Sequence, residues 1–123
     1  GFIVYNDTTC IVRNTWNFSR FYHHESCGQC TPCREGTGWL EKVLHRIENG
    51  HGREEDIELL WSIQSKIEGN TICPLGDAAS WPVAAAIRHF RDEFEYHIRF
   101  PEKVKNRNHF VNEPFSKVLT SNV

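Results

Sequence analysis

The sequence has no methionine, few glycines and no long apolar run, and each absence narrows what the chain can be. Without methionine it has no initiator residue, so we expect a piece of a longer protein. No apolar run approaches the roughly 20 residues of a membrane-spanning helix, so no direct membrane insertion is expected. The N-terminus lacks the layout of a secretory signal. The eight glycines are scattered and form no phosphate-cradling loop, so no flavin or dinucleotide site is recognisable.

The charge and the apolar content are those of an ordinary globular domain. The formal net charge is −2, so composition gives no electrostatic case for nucleic acid or an anionic membrane. Hydrophobic residues make up 39% and charged residues 24%, which argues against general disorder. With 123 residues, the chain can bury one modest core.

Apolar residues at helical spacing predict four amphipathic helices, over about residues 9–24, 32–49, 53–68 and 81–99. Four such helices with short connections predict a mainly α protein, a small four-helix bundle. The predicted apolar faces are Ile11, Thr15, Phe18 and Tyr22 in the first helix, Leu40, Val43, Leu44 and Ile47 in the second, Ile57, Leu60, Ile63 and Ile67 in the third, and Val83, Ile87, Phe90, Phe94 and Ile98 in the fourth.

The two ends of the chain differ from this helical middle. The run Gly1–Tyr5 has the composition of a strand, yet a lone strand is not stable, so residues 1–8 are predicted to be the last strand of a preceding domain. Residues 9–100 are predicted to form the helical domain. Residues 101–123 are polar and irregular, and we expect a solvated tail there.

Five cysteines carry the chemistry of the chain, and three of them fall within seven residues. An odd number with such clustering is a poor disulfide framework and indicates metal or redox chemistry instead. Cys27, Cys30 and Cys33 form a Cys-x2-Cys-x2-Cys loop, which can bind three irons of a cubane cluster while a distant cysteine binds the fourth. Cys73, followed by proline as in the bacterial-type run, is that fourth ligand. The sequence therefore predicts one [4Fe–4S] cluster on these four cysteines.

The neighbours of the cysteines suit this prediction. Cys33 enters the first turn of a helix, where free N–H groups and the helix dipole favour thiolate. Gly28 and Gly76 are expected to let the backbone approach the sulfurs closely. Arg34 is expected to offset part of the negative charge of a four-thiolate cluster.

A structural zinc-binding interaction module on the same four thiols is the main alternative. Structural zinc usually takes two separated pairs of ligands, whereas three of these cysteines share one loop, so the spacing favours the cluster. A thioredoxin-like redox pair is less favoured, because the strand–helix–strand pattern around it is missing.

Other candidate residues have simpler interpretations. Cys10 is expected to be a small buried hydrophobe in the first helix. His23 and His24 flank the cysteine loop and could tune a cluster or replace a ligand, but residues at the end of a helix are the commoner case. The remaining aromatic candidates, which we expect in the core or at an interface, are Trp39, Trp61 and Trp81.

Two runs resemble a known family. Glu25–Gly36 (ESCGQCTPCREG) and Ile67–Ala78 (IEGNTICPLGDA) resemble the cluster motifs of the flavin-bearing, NADH-binding subunit of respiratory NADH:quinone oxidoreductase (complex I). Trp81–Val83 and Arg88–Phe90 continue the match, which covers about residues 2–100. Related subunits occur in NAD-linked hydrogenases and formate dehydrogenases. The sequence leaves open to which of these three enzymes the longer protein belongs.

The resemblance implies an electron-transfer module. It implies that Cys27, Cys30, Cys33 and Cys73 hold a [4Fe–4S] cluster that passes electrons from FMN to the next cluster. FMN and NAD would bind only in the missing upstream part, so this piece of an NADH dehydrogenase is predicted inactive alone. The implied partners are the other subunits of the complex, without nucleic acid. The implied location is cytoplasmic, peripheral to the inner-membrane complex.

Overall fold

A computed structural model describes residues 1–105, and these residues form five α-helices and no strand. The predicted mainly α class is therefore confirmed. The helices are α1 (Ile11–Glu25), α2 (Thr31–Glu48), α3 (Asp56–Ile67), α4 (Pro74–Arg99) and α5 (Pro101–Lys105).

The four long helices form an up-and-down bundle. Helices α1 and α3 each pack against both α2 and α4, and α2 also contacts α4. Successive helices run in opposite directions, so the bundle has two distinct ends. The cluster end, as we call it, holds the C-terminus of α1, the N-terminus of α2, the C-terminus of α3 and the N-terminus of α4. The far end holds the other four termini.

The core is built largely from the predicted faces. All four predicted residues of α2 and all four of α3 are buried. Helix α1 differs, because its buried residues are the small Val12, Thr15 and Ser19, while Ile11 is only partly buried against the core. A face of small residues is sufficient to bury α1 against the core, since this helix packs closely on both α2 and α4.

Helix α4 is longer than predicted and begins at Pro74. Proline is well suited to the first position of a helix, where its missing N–H has no intrahelical acceptor. Pro82, expected near a helix start, instead lies inside α4. The helix is kinked at Phe90, whose φ of −132° and ψ of 33° are not helical. Phe90 is 44% exposed, so its predicted place in the core is wrong, whereas Phe94 is fully buried.

The ends also depart from the expectation. Residues 1–6 are exposed and form no strand, because a strand needs a hydrogen-bonded partner and residues 1–105 offer none. Residues 101–105, expected in the polar tail, form α5, and Val104 is buried. The rest of the predicted tail, 106–123, lies outside the described residues. No described helix is both long and apolar enough to cross a membrane.

Candidate functional site

Two connections bring the four predicted ligands together at the cluster end. Cys27 lies in the loop between α1 and α2, Cys30 immediately precedes α2, and Cys33 is in the first turn of α2. Cys73 immediately precedes α4. The α3–α4 connection reaches the start of α2, where the backbone N–H of Ile72 donates to Cys30 Sγ at 3.3 Å.

All four of these cysteines, which we call the cluster thiols, line one cavity of about 160 Å³. Cys33 is buried, Cys30 is half-buried, and Cys27 and Cys73 are exposed, so the cavity lies just below the surface. The other lining residues are Glu25, Ser26, Gln29, Thr71, Ile72 and Leu75. A carboxylate, two hydroxyls and an amide therefore surround the thiols, together with two aliphatic side chains.

The spacing of the cluster thiols fits a group larger than one ion. A tetrahedral zinc ion with Zn–S bonds near 2.3 Å holds its sulfurs about 3.8 Å apart. Among residues 1–105, no three cluster thiols have their sulfurs within 4.8 Å of one another. A cubane cluster, in which each thiolate binds a different iron, needs such separated sulfurs around a space.

The backbone makes this end of the bundle favourable for negative charge. Two helix N-termini begin at the cavity, and neither Cys30 nor Cys73 caps its helix with a side-chain hydrogen bond. The first N–H groups of both helices and the positive ends of their dipoles therefore lie beside the cavity, a position that favours a negatively charged group.

Local contacts hold the cysteine loop in shape, and sequence reasoning missed most of them. Ser26 Oγ lies 3.2 Å from Cys33 Sγ, and the Gly28 N–H donates to the same hydroxyl at 3.4 Å. Arg34, expected to offset cluster charge, donates to the Gly28 carbonyl at 2.9 Å and to Thr31 Oγ1 at 3.3 Å. The guanidinium therefore ties the loop to the first turn of α2. Serine and threonine beside cysteines were the available signal, since their hydroxyls commonly bond to nearby backbone and sulfur.

The two glycines named at the site act in different ways. Gly28 has a φ of +78°, a backbone conformation that costs other residues about 1–2 kcal/mol. Gly76 was expected to approach a sulfur, but a methyl group there would instead meet the side chain of Thr71, whose Cβ would lie only 2.8 Å away. Gly76 thus allows the loop before Cys73 to fold back onto α4.

The flanking histidines and tryptophans do not line the cavity. His23 pairs with Glu41 on α2 at 2.5 Å, and His24, with a side chain 86% exposed, pairs with Glu25 at 3.2 Å. These contacts agree with the interpretation of both histidines as ordinary residues at the end of a helix. The three tryptophans are not in the core, since Trp39, Trp61 and Trp81 are between 37% and 56% exposed.

A larger apolar groove of about 590 Å³ runs between α2 and α3 beside the cavity. Thr31 and Pro32 form its edge next to Cys30, and Trp39, Leu59 and Ile63 lie along it. Exposed apolar surface of this kind is typical of a contact surface for another protein.

Cys10 lies at the far end and does not contribute to the cavity. Its predicted role as a simple buried hydrophobe is incomplete, because its sulfur lies 3.3 Å from His97 Nε2 and 3.9 Å from Glu48 Oε2. Burial and the Glu48 carboxylate raise the pKa of the Cys10 thiol well above its usual range. Burial also raises the pKa of Glu93, which neighbours this group, to about 7.

Comparison with known proteins identifies the family. Residues 13–97 match the family model described as the NADH-ubiquinone oxidoreductase-F iron-sulfur binding region. The chain is 54% identical over 106 residues to the F subunit of NADH-quinone oxidoreductase in Rickettsia typhi, covering 86% of this chain and 24% of that protein. It is 52% identical over 97 residues to the mitochondrial NADH-ubiquinone oxidoreductase 51 kDa subunit of Neurospora crassa, covering 79% and 20%.

A solved structure gives the same result for the fold. The crystal structure of an NAD+-reducing [NiFe]-hydrogenase in the H2-reduced state matches with a TM-score of 0.73 and 35% identity, covering 77% of this chain and 16% of that one. The chain belongs to the NADH-ubiquinone oxidoreductase-F iron-sulfur binding region family, and it spans about a quarter or less of the length of these relatives. The resemblance stated from the two motifs and the predicted [4Fe–4S] cofactor are confirmed at the level of the family.

Proposed function

We propose that this chain is the electron-relay module of an NADH dehydrogenase subunit, and that Cys27, Cys30, Cys33 and Cys73 bind its [4Fe–4S] cluster. In this proposal the module receives electrons from FMN, bound by a part of the subunit outside this chain, and passes them to the next cluster. The main observation in support is that the four thiols line one cavity, at which helices α2 and α4 begin.

The chain's own residues would hold and tune the cofactor. When bound, a [4Fe–4S] cluster supplies a one-electron redox centre whose potential depends on hydrogen bonds to sulfur and on exposure. The Ile72 N–H and the Ser26 hydroxyl lie within hydrogen-bond range of cluster-thiol sulfurs. Donors at these positions stabilise negative charge on the sulfurs and thus favour the reduced state.

Support for the parent enzyme comes from the relatives. Those named above as NADH-quinone or NADH-ubiquinone oxidoreductase subunits share 52–54% identity with this chain, against 35% for the hydrogenase. The higher identity supports a respiratory parent. Other subunits of that complex are then the proposed partners, with the groove between α2 and α3 as a contact surface, and the proposed location is the cytoplasmic face of the membrane complex.

The zinc-module alternative has less support. No three of the cluster thiols have their sulfurs within 4.8 Å of one another, whereas one tetrahedral zinc ion holds its sulfurs about 3.8 Å apart, and the family is described as iron–sulfur binding.

Anaerobic reconstitution of the chain with iron and sulfide tests the proposal. We expect about four irons and four sulfides per chain, broad visible absorbance, and bleaching on one-electron reduction. The chain alone should neither bind FMN nor oxidise NADH with an artificial acceptor. A colourless protein that prefers one zinc ion on the four thiols would contradict the cluster, and NADH turnover would contradict the relay role.

A further inference from the structure

We propose that Cys10, Glu48 and His97, which we call the buried trio, form a second metal site that binds one zinc ion independently of the iron–sulfur cluster. The trio lies at the far end, where α1 and α2 meet the C-terminal half of α4. The 15 residues of α1 separate it from the cluster thiols by about 22 Å at 1.5 Å per residue.

The ligand atoms are already spaced for a tetrahedral ion. Cys10 Sγ lies 3.3 Å from His97 Nε2 and 3.9 Å from Glu48 Oε2, and the last two atoms are 3.6 Å apart. Zinc bonds of about 2.3 Å to sulfur and 2.0–2.1 Å to nitrogen or oxygen give ligand separations of about 3.4–3.6 Å. Among residues 1–105, this trio alone brings three metal-binding side chains within 4.8 Å of one another.

The histidine is held in the orientation that a metal ligand requires. His97 Nδ1 lies 2.7 Å from the Glu93 carbonyl oxygen, which can only accept, so the Nδ1 proton is donated there. In the neutral ring Nε2 is then unprotonated and directs its lone pair toward Cys10 and Glu48. Metal-binding histidines almost always donate their other N–H in this way.

The carboxylate supplies an independent reason to expect a cation. Glu48 is 7% exposed, yet its two partners among the described residues are His97 at 3.6 Å and Cys10 at 3.9 Å. Both contacts are longer than a normal charge-assisted hydrogen bond, and a poorly paired buried carboxylate is unfavourable. An ion between the three ligand atoms would satisfy Glu48 directly.

Charge and chemistry select the ion. A divalent ion with one thiolate, one carboxylate and one neutral imidazole is electrically neutral, which suits a buried position. Binding releases the Cys10 proton, and three protein ligands leave one position for water. Mixed sulfur, nitrogen and oxygen ligands favour zinc over magnesium or calcium.

X-ray absorption at the zinc edge tests the site directly, on the reconstituted full chain with its iron–sulfur cluster and one equivalent of zinc. We expect one zinc to remain after gel filtration, with one sulfur near 2.3 Å and about three nitrogen or oxygen ligands near 2.0–2.1 Å. Four sulfur ligands would place zinc on the cluster thiols and overturn the proposal. Failure to retain zinc would overturn it as well.

Variants give a second, separate readout. Cys10→Ser and His97→Gln should each lower zinc affinity by at least about 100-fold in chelator competition, since outer-shell changes alone cost 10–100-fold. The iron content should stay unchanged, so the outcome is distinguishable from failure of the proposed cluster. His89→Gln, on the exposed face of the same helix, is the matched control and should bind zinc normally. Unchanged affinity in both trio variants would overturn the proposal.

Discussion

Both ends of the bundle contain cysteine, but the surroundings of the cysteine side chains differ between them. At the cluster end, four thiols surround a cavity of about 160 Å³, and two of them are exposed. At the far end, Cys10 touches an imidazole and lies close to a carboxylate in a mostly buried setting. Two helix N-termini with free N–H groups lie at the cluster end, whereas burial and the Glu48 carboxylate raise the pKa of the Cys10 thiol at the far end.

The difference shows that surroundings, rather than residue type, determine what a cysteine can do. The cluster end is held by short loops and by contacts within and between them, such as the Ile72 N–H to Cys30 Sγ. The far end is held by side-chain contacts, including Asp56, which is fully buried and paired with the Arg46 guanidinium through both carboxylate oxygens. Removal of the iron should therefore disturb mainly the cluster end. Substitution of Asp56 should disturb mainly the far end.

The largest expected effect is on iron content. Cys73→Ser should prevent a stable four-iron cluster, because serine is a poor iron ligand and no other described cysteine lines the cavity. Cys10→Ser, at the far end, should keep about four irons per chain. Iron and sulfide analysis after anaerobic reconstitution measures both. The ligand assignment would be wrong if the Cys10 variant lost the cluster and the Cys73 variant kept it.

Iron removal should disturb the cluster end and spare the rest. Bound as proposed, a cluster would link Cys33 to Cys73 and close a loop of about 40 residues, which by loop entropy would contribute roughly 4 kcal/mol. The apolar core survives, since each large buried side chain contributes about 1.5–3 kcal/mol. Far-ultraviolet circular dichroism after anaerobic chelation should show most of the helix with a lower melting temperature. Complete loss of helix would mean that the cluster is needed to form the bundle.

Substitution at the far end should lower stability while sparing the cluster. Asp56→Asn removes the charge that pairs with Arg46, and breaking such a pair costs about 3 kcal/mol. Urea unfolding of the iron-loaded chain measures the loss. Glu55→Gln, one residue earlier and exposed, is the control and should change stability by at most about 0.5 kcal/mol. A fall in iron content in the Asp56 variant under native conditions would show that the two ends are coupled.

The smallest expected effect concerns the shape of the cysteine loop. Gly28→Ala should destabilise the chain by about 1 kcal/mol, because alanine is strained at a φ of +78°, although its Cβ would make only ordinary van der Waals contact with the Arg34 side chain. Gln29→Ala, the exposed neighbour, should have little effect. Visible absorbance of the cluster during an anaerobic urea titration reports on this end. Equal midpoints for the two variants would show that the loop adapts without strain.

Much of the fold follows from local patterns. The faces of α2 and α3 were predicted in full because their aliphatic residues recur at helical spacing. The early start of α4 was missed, since the short run after Cys73 has little apolar periodicity and Pro82 resembled a helix start. Phe90 was misplaced because a kink changes which side of the helix faces the core, and periodicity assumes a straight helix.

The sequence by itself determined the mainly α class and the four-cysteine motif, because periodicity and ligand spacing are local properties of the chain. Only the tertiary structure decided which groups meet across the bundle. Cys10, Glu48 and His97 are 38 to 87 positions apart, and no spacing rule connects them. They come together because antiparallel packing brings the start of α1, the end of α2 and the end of α4 to the same end of the molecule.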